Sequence, residues 1–158
     1  MAKKMSAGLL VYRLGKGMPE VFLVHMGGPY WMKKDEGAWT IPKGEFSSDE
    51  NPLEAAKREF KEETGFSIEG KFEPLTPITQ AGGKEVHAWA AEADLDTAKI
   101  HSNTFTMEWP PGSGKQKEFP EVDKAAWINI PEAKKKIIKA QINFLDELDK
   151  KLKKRFSD

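Results

Sequence analysis

The sequence predicts an α/β or α+β domain in which helices cover a mixed β-sheet. Short apolar, β-prone segments precede and follow a helical segment at residues 52–64, and a second helical pattern closes the chain. The 158 residues can bury a sizeable core, and no internal repeat or long linker divides them. We therefore expect residues 1–158 to form a single domain.

Strand-like segments are recognised by runs of apolar and β-branched residues between turn-forming residues. The predicted strands lie at residues 9–12, 21–24, 38–41, 75–79, 86–91 and 126–130. Gly15 and Gly17 indicate a turn after the first strand, and Pro42 ends the third. The loop at residues 25–37 is rich in glycine and charge.

Two helices are predicted from their ends and their periodicity. Asn51 followed by Pro52 is typical of an N-cap and a first helical residue, and Gly65 suits a left-handed residue after the last turn. A second helix is expected to begin near Pro131. Its apolar residues recur at intervals of three or four and should pack on the body of the domain: Ile138, Ile142, Leu145, Leu148 and Leu152.

The charge and cysteine content restrict the possible partners and the compartment. Lys plus Arg number 25 and Asp plus Glu number 25, a balance that favours neither a nucleic acid polymer nor an anionic membrane. The absence of cysteine excludes disulfides and thiolate chemistry and suits a reducing cytoplasm. The first apolar run ends at Arg13, too early for a signal sequence or a membrane span. We expect a cytoplasmic protein in which any polyanionic ligand is held by a local site.

Carboxylates are concentrated on one face of the first predicted helix. At about 100° per residue, Glu59, Glu62 and Glu63 lie beside the apolar stripe that contains Leu53 and Phe60. Like charges three or four residues apart repel by a few tenths of a kcal/mol per pair. A divalent cation would reverse this local penalty. The alternative is an ordinary solvent-facing surface in a protein rich in lysine and glutamate.

The residues around this helix complete a longer pattern, G-x(5)-E-x(7)-R-E-U-x-E-E-x-G-U, in which U is apolar. Its members are Gly44, Glu50, Arg58, Glu59, Phe60, Glu62, Glu63, Gly65 and Phe66. The pattern resembles the signature of the Nudix hydrolases. The preceding WTIPKGE is similar to the same segment in the branch that includes diadenosine polyphosphate hydrolases, and FPEVDKAAWINIPEA resembles the end of many Nudix domains. The resemblance implies a Nudix-like sandwich, a mixed sheet flanked by helices.

The resemblance also implies a reaction and a metal site. Members of this family cleave a nucleoside diphosphate linked to another moiety, and they use magnesium or manganese. By resemblance, Glu59, Glu62 and Glu63 are catalytic metal ligands, joined by the backbone carbonyl of Lys43. This assignment agrees with the chemistry of magnesium, which prefers oxygen ligands and is usually completed by substrate phosphates.

Further catalytic residues follow from the same resemblance. Arg58 is expected to point away from the metal stripe and to pair with Glu50, as its counterpart holds an acidic partner in the family. A general base is also required. The candidates for the base are Glu62, Glu63, Glu121 and, as an alternative to Glu121, Glu118.

Candidate substrate contacts lie on both sides of the signature. Lys43 and Lys84 can meet phosphate oxygens as point charges, and Tyr30 and Trp31 can stack on a base. The WTIPKGE segment favours nucleoside polyphosphates, either dinucleotides or plain triphosphates. The alternatives are an ADP-ribose or nucleotide-sugar pyrophosphatase and a Nudix-fold nucleotide-binding regulator without catalysis.

Residues 109–116, WPPGSGKQ, end like a phosphate-binding P-loop. However, Trp109 stands where that motif requires glycine, and Gln116 stands where it requires serine or threonine. The segment is therefore expected to be an exposed turn on the substrate side.

Overall fold

The computed structural model describes residues 4–15 and 17–155. In these residues, strands β1 to β10 lie in chain order at Met5–Leu14, Pro19–Met26, Trp39–Thr40, Lys43–Phe46, Glu73–Pro74, Ile78–Thr79, Glu85–Glu92, Thr104–Glu108, Gln116–Pro120 and Val122–Asn129. The helices α1, α2 and α3 lie at Pro52–Thr64, Ile130–Lys136 and Ile142–Arg155. Over the described part of the chain, no helix has the length and apolar character that a membrane crossing needs.

The larger sheet is mixed, as predicted. Strands β10, β2, β1, β7 and β5 lie side by side in that order, and β3, β4 and β6 pair with β2, β1 and β7. β1 and β7 run parallel, whereas β1 pairs antiparallel with both β2 and β4. Strands β8 and β9 form a separate antiparallel hairpin. The central strand β1 therefore pairs both with β4, which precedes α1, and with β7.

Helices cover both faces of the sheet, which confirms the predicted sandwich. Side chains alternate between the faces along β1, because successive residues of a strand point to opposite sides. Leu9 and Val11 pack with Phe60 of α1, whereas Leu10 packs with Phe144 of α3. The sheet therefore lies between α1 on one side and the pair of α2 and α3 on the other.

Helix α1 has the ends that its sequence predicts. The Asn51 side chain accepts a hydrogen bond from the Glu54 amide at 3.1 Å, and Pro52 is the first helical residue. Gly65 follows the helix with a φ of 83°, and its amide donates to the Lys61 carbonyl. These caps fix where the acidic stripe begins and ends.

The prediction of one continuous helix in the C-terminal region is wrong. This region divides into α2 and α3, and Ile137 and Ile138 between them are extended. The Ile138 amide donates to the Trp39 carbonyl at 2.8 Å, so this short segment pairs with β3 instead of continuing a helix. Leu145, Leu148 and Leu152 are buried on α3 as predicted.

Several strand predictions also change. In the predicted strand at 75–79 only β6, at Ile78–Thr79, is a strand, and β5 lies just before the predicted range. The predicted strand at 126–130 begins earlier, at Val122, and ends at Asn129. The sequence did not predict β4 or the β8–β9 hairpin. The hairpin residues are mostly exposed, so this element lacks the continuous apolar run that identifies a buried strand.

Candidate active site

The carboxylate of Glu59 lies directly against the backbone of β4. A β-carbon built on Gly44 would overlap this carboxylate, so a larger residue there would displace the carboxylate from its present position. The Glu59 side chain is only 13% exposed, whereas the Glu62 side chain is 40% exposed. Gly44 therefore explains how the acidic stripe of α1 packs closely on the strand that precedes the helix.

Glu63 is held beside the same strand by a single backbone donor. Its Oε2 accepts a hydrogen bond from the Lys43 amide at 2.8 Å. Burial raises the pKa of Glu63 to about 8, the negative charges of Glu121 and Glu59 add to this increase, and the Lys43 amide opposes it. Burial thus favours the protonated form of a metal-free Glu63.

The electrostatics of Glu59 are similar. Burial raises the pKa of Glu59 above its ordinary value, the charge of Glu62 adds to the effect, and the hydrogen bond from Arg58 opposes it. Two neighbouring carboxylates are thus poorly solvated. Both would gain from an additional positive charge in contact with them.

Arg58 connects the signature residues in a way that corrects one expectation. Its Nε and Nη2 donate to the two carboxylate oxygens of Glu50 at 2.9 and 3.0 Å, as the predicted pair requires. However, Nη1 donates to Glu59 at 2.8 Å and approaches Glu62 at 3.4 Å. Arg58 therefore does not point away from the acidic stripe, because the guanidinium carries donors on more than one edge.

The donor set suits a hard divalent cation. Within residues 4–15 and 17–155, no three acidic or histidine side chains converge on one cation position, and Arg58 supplies the positive charge beside Glu59 and Glu62. The available ligands are nevertheless carboxylate oxygens, the donors that magnesium prefers. Burial raises the pKa of Glu59 and of Glu63 because it disfavours their charged forms, and such an ion in contact with them would stabilise those charged forms.

Glu121 faces the same cavity as Glu63. A chain of backbone hydrogen bonds places it there: the Asn103 amide donates to the Glu62 carbonyl, and the Glu121 amide donates to the Asn103 carbonyl. Both residues line a cavity of about 340 Å³. Glu118 is exposed on β9 and does not line this cavity. The structure thus brings Glu121, but not Glu118, toward the carboxylates of α1.

Aromatic and apolar side chains also line this cavity. Tyr30 and Trp31 line it from the loop after β2, and Phe105 and Met107 line it from the β8–β9 hairpin. Tyr30 is 56% exposed and meets Trp109 edge-to-face, with 5.3 Å between ring centroids. The predicted turn at 109–116 therefore ends a hairpin that forms one wall of the cavity.

Phe105 and Met107 are cavity residues that the sequence did not predict. A usable signal is present, because these two residues alternate with Thr104, Thr106 and Glu108 at the period of a strand with one apolar face. The alternation covers only five residues. The proximity of Phe105 and Met107 to Tyr30 depends on the tertiary fold.

Lys43 and Lys84, the two lysines predicted to bind phosphate, lie close enough for their charges to interact. Burial lowers the pKa of Lys43, and the positive charge of Lys84 lowers it further. Lys84 Nζ contacts Glu45 Oε2 at 3.1 Å. These two lysines are adjacent in space although they lie on β4 and just before β7.

Comparison with known proteins identifies a family over most of the chain and one partial curated relative. The family model described as NUDIX domain matches residues 2–148, which is most of the chain. Among curated proteins, an octanoyltransferase from Myxococcus xanthus is 29% identical over 97 residues, covering 61% of this chain and 24% of that protein. The chain therefore spans about a quarter of the length of this curated relative.

Solved structures share the fold over nearly the full chain. An Ap4A hydrolase of C. elegans in a binary complex is 24% identical, with a TM-score of 0.66 and coverage of 94% of this chain and 97% of that chain. The NUDIX domain of Shewanella oneidensis NrtR, complexed with ADP ribose, is 14% identical, with a TM-score of 0.65 and coverage of 96% and 90%. A MutT protein from Methanosarcina mazei is 18% identical, with a TM-score of 0.62 and coverage of 97% and 99%. At these identities the similarity concerns the fold.

Proposed function

Because this chain belongs to the Nudix family of pyrophosphohydrolases, we propose that it is a metal-dependent enzyme that cleaves the pyrophosphate linkage of nucleoside polyphosphates. The observation that carries the proposal is the position of Glu59 and Glu63, two poorly solvated carboxylates of an intact signature, against β4. A protein that only binds nucleotides gains nothing from keeping these repelling groups together.

Magnesium or manganese is the proposed cofactor. Glu59, Glu62 and Glu63, with the backbone carbonyl of Lys43, would hold the ion. When bound, it would neutralise the diphosphate and lower the pKa of an attacking water. Arg58 remains a catalytic candidate because it bonds to Glu59 and to Glu50, so it holds the signature loop to the helix.

Proton transfer from the attacking water is assigned to a carboxylate. Glu121 is the candidate supported by geometry, since it lines the same cavity as Glu63. Glu62 and Glu63 are the other candidates, and Glu62 is 40% exposed beside Glu59 on the acidic stripe. Substitution of each residue by glutamine distinguishes them. Loss of the general base should remove most of the increase in rate that the wild-type enzyme shows as pH rises.

The proposed substrates are dinucleoside polyphosphates or nucleoside triphosphates. Glu63 and Glu121 in the cavity lining suit a metal-bound pyrophosphate, and Tyr30 and Trp31 in the same lining suit a stacked base. Lys43 and Lys84 are assigned to phosphate oxygens as point charges. The C. elegans neighbour, named as an Ap4A hydrolase, supports the dinucleotide choice. An ADP-ribose pyrophosphatase is the second candidate, since the similar Shewanella domain was solved with ADP ribose.

A small nucleotide substrate agrees with the rest of the molecule. The formal net charge is zero, so we propose neither a nucleic acid polymer nor a membrane as a partner. The absence of cysteine supports a reducing cytoplasm as the compartment.

A substrate panel tests the proposal. Purified protein is incubated with magnesium and dinucleoside polyphosphates, nucleoside and deoxynucleoside triphosphates, ADP-ribose or NADH, and products are separated by ion-exchange chromatography. We expect turnover of the dinucleoside polyphosphates and of the nucleoside and deoxynucleoside triphosphates. No substrate should be turned over after the metal is chelated. Turnover of ADP-ribose or NADH alone would overturn the substrate choice.

The Glu62→Gln variant tests the acidic stripe. We expect kcat to fall by at least about a hundredfold, because an uncharged amide can neither hold the metal nor accept a proton as the carboxylate does. Glu54→Gln, on the first turn of the same helix, is the matched control and should retain activity. An unchanged kcat in a folded Glu62→Gln protein would remove the assigned role.

A further inference from the structure

A fully buried glutamine joins two separate parts of the proposed phosphate site. Gln141 lies between α2 and α3 and is 0% exposed. Its Oε1 accepts from the Ile41 amide at 3.0 Å, and its Nε2 donates to Thr40 Oγ1 at 2.9 Å and to Gln80 Oε1 at 2.8 Å. A side chain that both donates and accepts is needed for this set of contacts, which glutamate or methionine cannot reproduce.

The first set of contacts reaches the segment that carries Lys43. Ile41, bonded to Gln141, lies two residues before Lys43, whose own amide donates to Glu63 at 2.8 Å. Between them, the Pro42 carbonyl accepts from the Leu9 amide at 3.3 Å. Successive hydrogen bonds thus hold the short connection from β3 to β4 on Gln141, β1 and α1.

The second set of contacts reaches the turn that carries Lys84. The Gln80 amide donates to the Lys84 carbonyl at 2.8 Å, and the Gly83 amide donates to the Gln80 carbonyl at 3.1 Å. Lys84 therefore lies directly before β7, at the end of a turn that is closed by Gln80. Because Gln80 Oε1 also bonds to Gln141, the position of this turn depends on the buried glutamine.

We propose that Gln141 and Gln80 are positioning residues that set the separation of Lys43 and Lys84 for binding the pyrophosphate of the substrate. The inference rests on the proposed function, which assigns both lysines to phosphate oxygens. Neither glutamine touches the substrate. Their effect is transmitted through the backbone of residues 40–43 and 80–84.

Gln80→Met is the variant that tests the inference, because it removes the bond toward Lys84 and leaves the bonds between Gln141 and residues 40–41 in place. We expect KM for a dinucleoside polyphosphate to rise by about tenfold, with kcat within about twofold, since a misplaced cation mainly weakens binding of the phosphate. In a Lys84→Met background, Gln80→Met should cause no further increase in KM.

Glu147→Met is the matched control. Glu147 Oε1 on α3 accepts from the Thr76 amide at 2.8 Å, so it also links the C-terminal helices to the segment before β7, but it does not reach the turn at 80–84. The control should lower the melting temperature without changing KM. A Gln80→Met protein that also loses only thermal stability, or whose effect adds fully to that of Lys84→Met, would overturn the inference.

A binding measurement separates this inference from the proposed function. Calorimetric titration with inorganic pyrophosphate and magnesium gives a Kd that does not require turnover. If no nucleotide is hydrolysed but Gln80→Met weakens pyrophosphate binding by about tenfold through Lys84, the proposed function fails and the positioning role stands. Wild-type protein that does not bind pyrophosphate would overturn the positioning role.

Discussion

Three glutamates of one helix stripe occupy three different environments. Glu63 is partly buried and accepts a hydrogen bond from the Lys43 amide, Glu59 lies against Gly44, and Glu62 is 40% exposed near Arg58. The helical wheel shows that these residues are neighbours, but it does not show how much water each retains. Desolvation follows from the packing of α1 on β4, and it makes Glu63 the carboxylate with the pKa raised to about 8.

The raised pKa of Glu63 predicts how the stability of the metal-free protein depends on pH. Between the ordinary glutamate pKa of about 4.3 and about 8, the folded state binds a proton that the unfolded state has released. The free energy of unfolding should therefore decrease as pH rises through this window. Urea denaturation of the chelated protein at a series of pH values measures the decrease.

Glu63→Gln is the control for this pH dependence, since its side chain does not ionise. We expect the decrease to be smaller in the variant. An identical slope in both proteins would show that another group is responsible. Magnesium should oppose the loss in the wild type, because the ion replaces the proton as the balancing positive charge.

At the scale of elements, α1 is the part that local sequence specifies best. Its N-cap, its first proline and its terminal glycine are all within a few residues of the helix they limit, and each has the predicted conformation. The C-terminal region behaves differently. Its periodic leucines are buried as predicted, but backbone bonds from Ile138 to Trp39 interrupt the helix.

Asn51→Ala tests the contribution of the α1 cap. Loss of the bond to the Glu54 amide should lower the free energy of unfolding by about 1 kcal/mol. The helix should still form in the native state, because its apolar face is packed against the sheet. Denaturant unfolding measures the change. Ser48→Ala, at an exposed position shortly before the cap, should have little effect, and an equal loss in both variants would contradict the prediction.

At the scale of the whole molecule, one sheet supports two hydrophobic clusters. Phe60 of α1 is fully buried on one face, and Phe144 of α3 is fully buried on the other. The strands between them are shared, since successive residues of β1 contribute to both clusters. A single cooperative domain, predicted from chain length and the absence of linkers, should unfold both faces together.

Phe60→Ala and Phe144→Ala test this cooperativity. Each substitution should lower the free energy of unfolding by about 3–5 kcal/mol, through lost burial and the cavity left behind. In each variant, far-ultraviolet circular dichroism and tryptophan fluorescence should report one coincident transition. Leu14→Ala, at an exposed end of β1, should change stability by less than about 1 kcal/mol. Two separate transitions would show that the faces unfold independently.

The sequence by itself determined the mixed α/β class, the position and caps of α1, and the family, because these depend on residues that are close together in the chain. The signature extends over residues 44–66 without a gap, and helix periodicity alone puts its glutamates on one stripe. Such features need no knowledge of how distant segments meet.

The tertiary structure alone decided which distant groups share the site. It places Glu121 in the cavity of Glu63, brings the β8–β9 hairpin to Tyr30, and joins residues 40–43 to the turn before Lys84 through Gln141. It also turns Arg58 toward Glu59. These contacts depend on the order of the strands in the sheet, on packing across both of its faces and on the desolvation that results. The spacing of neighbouring residues in the chain does not specify which distant residues will meet.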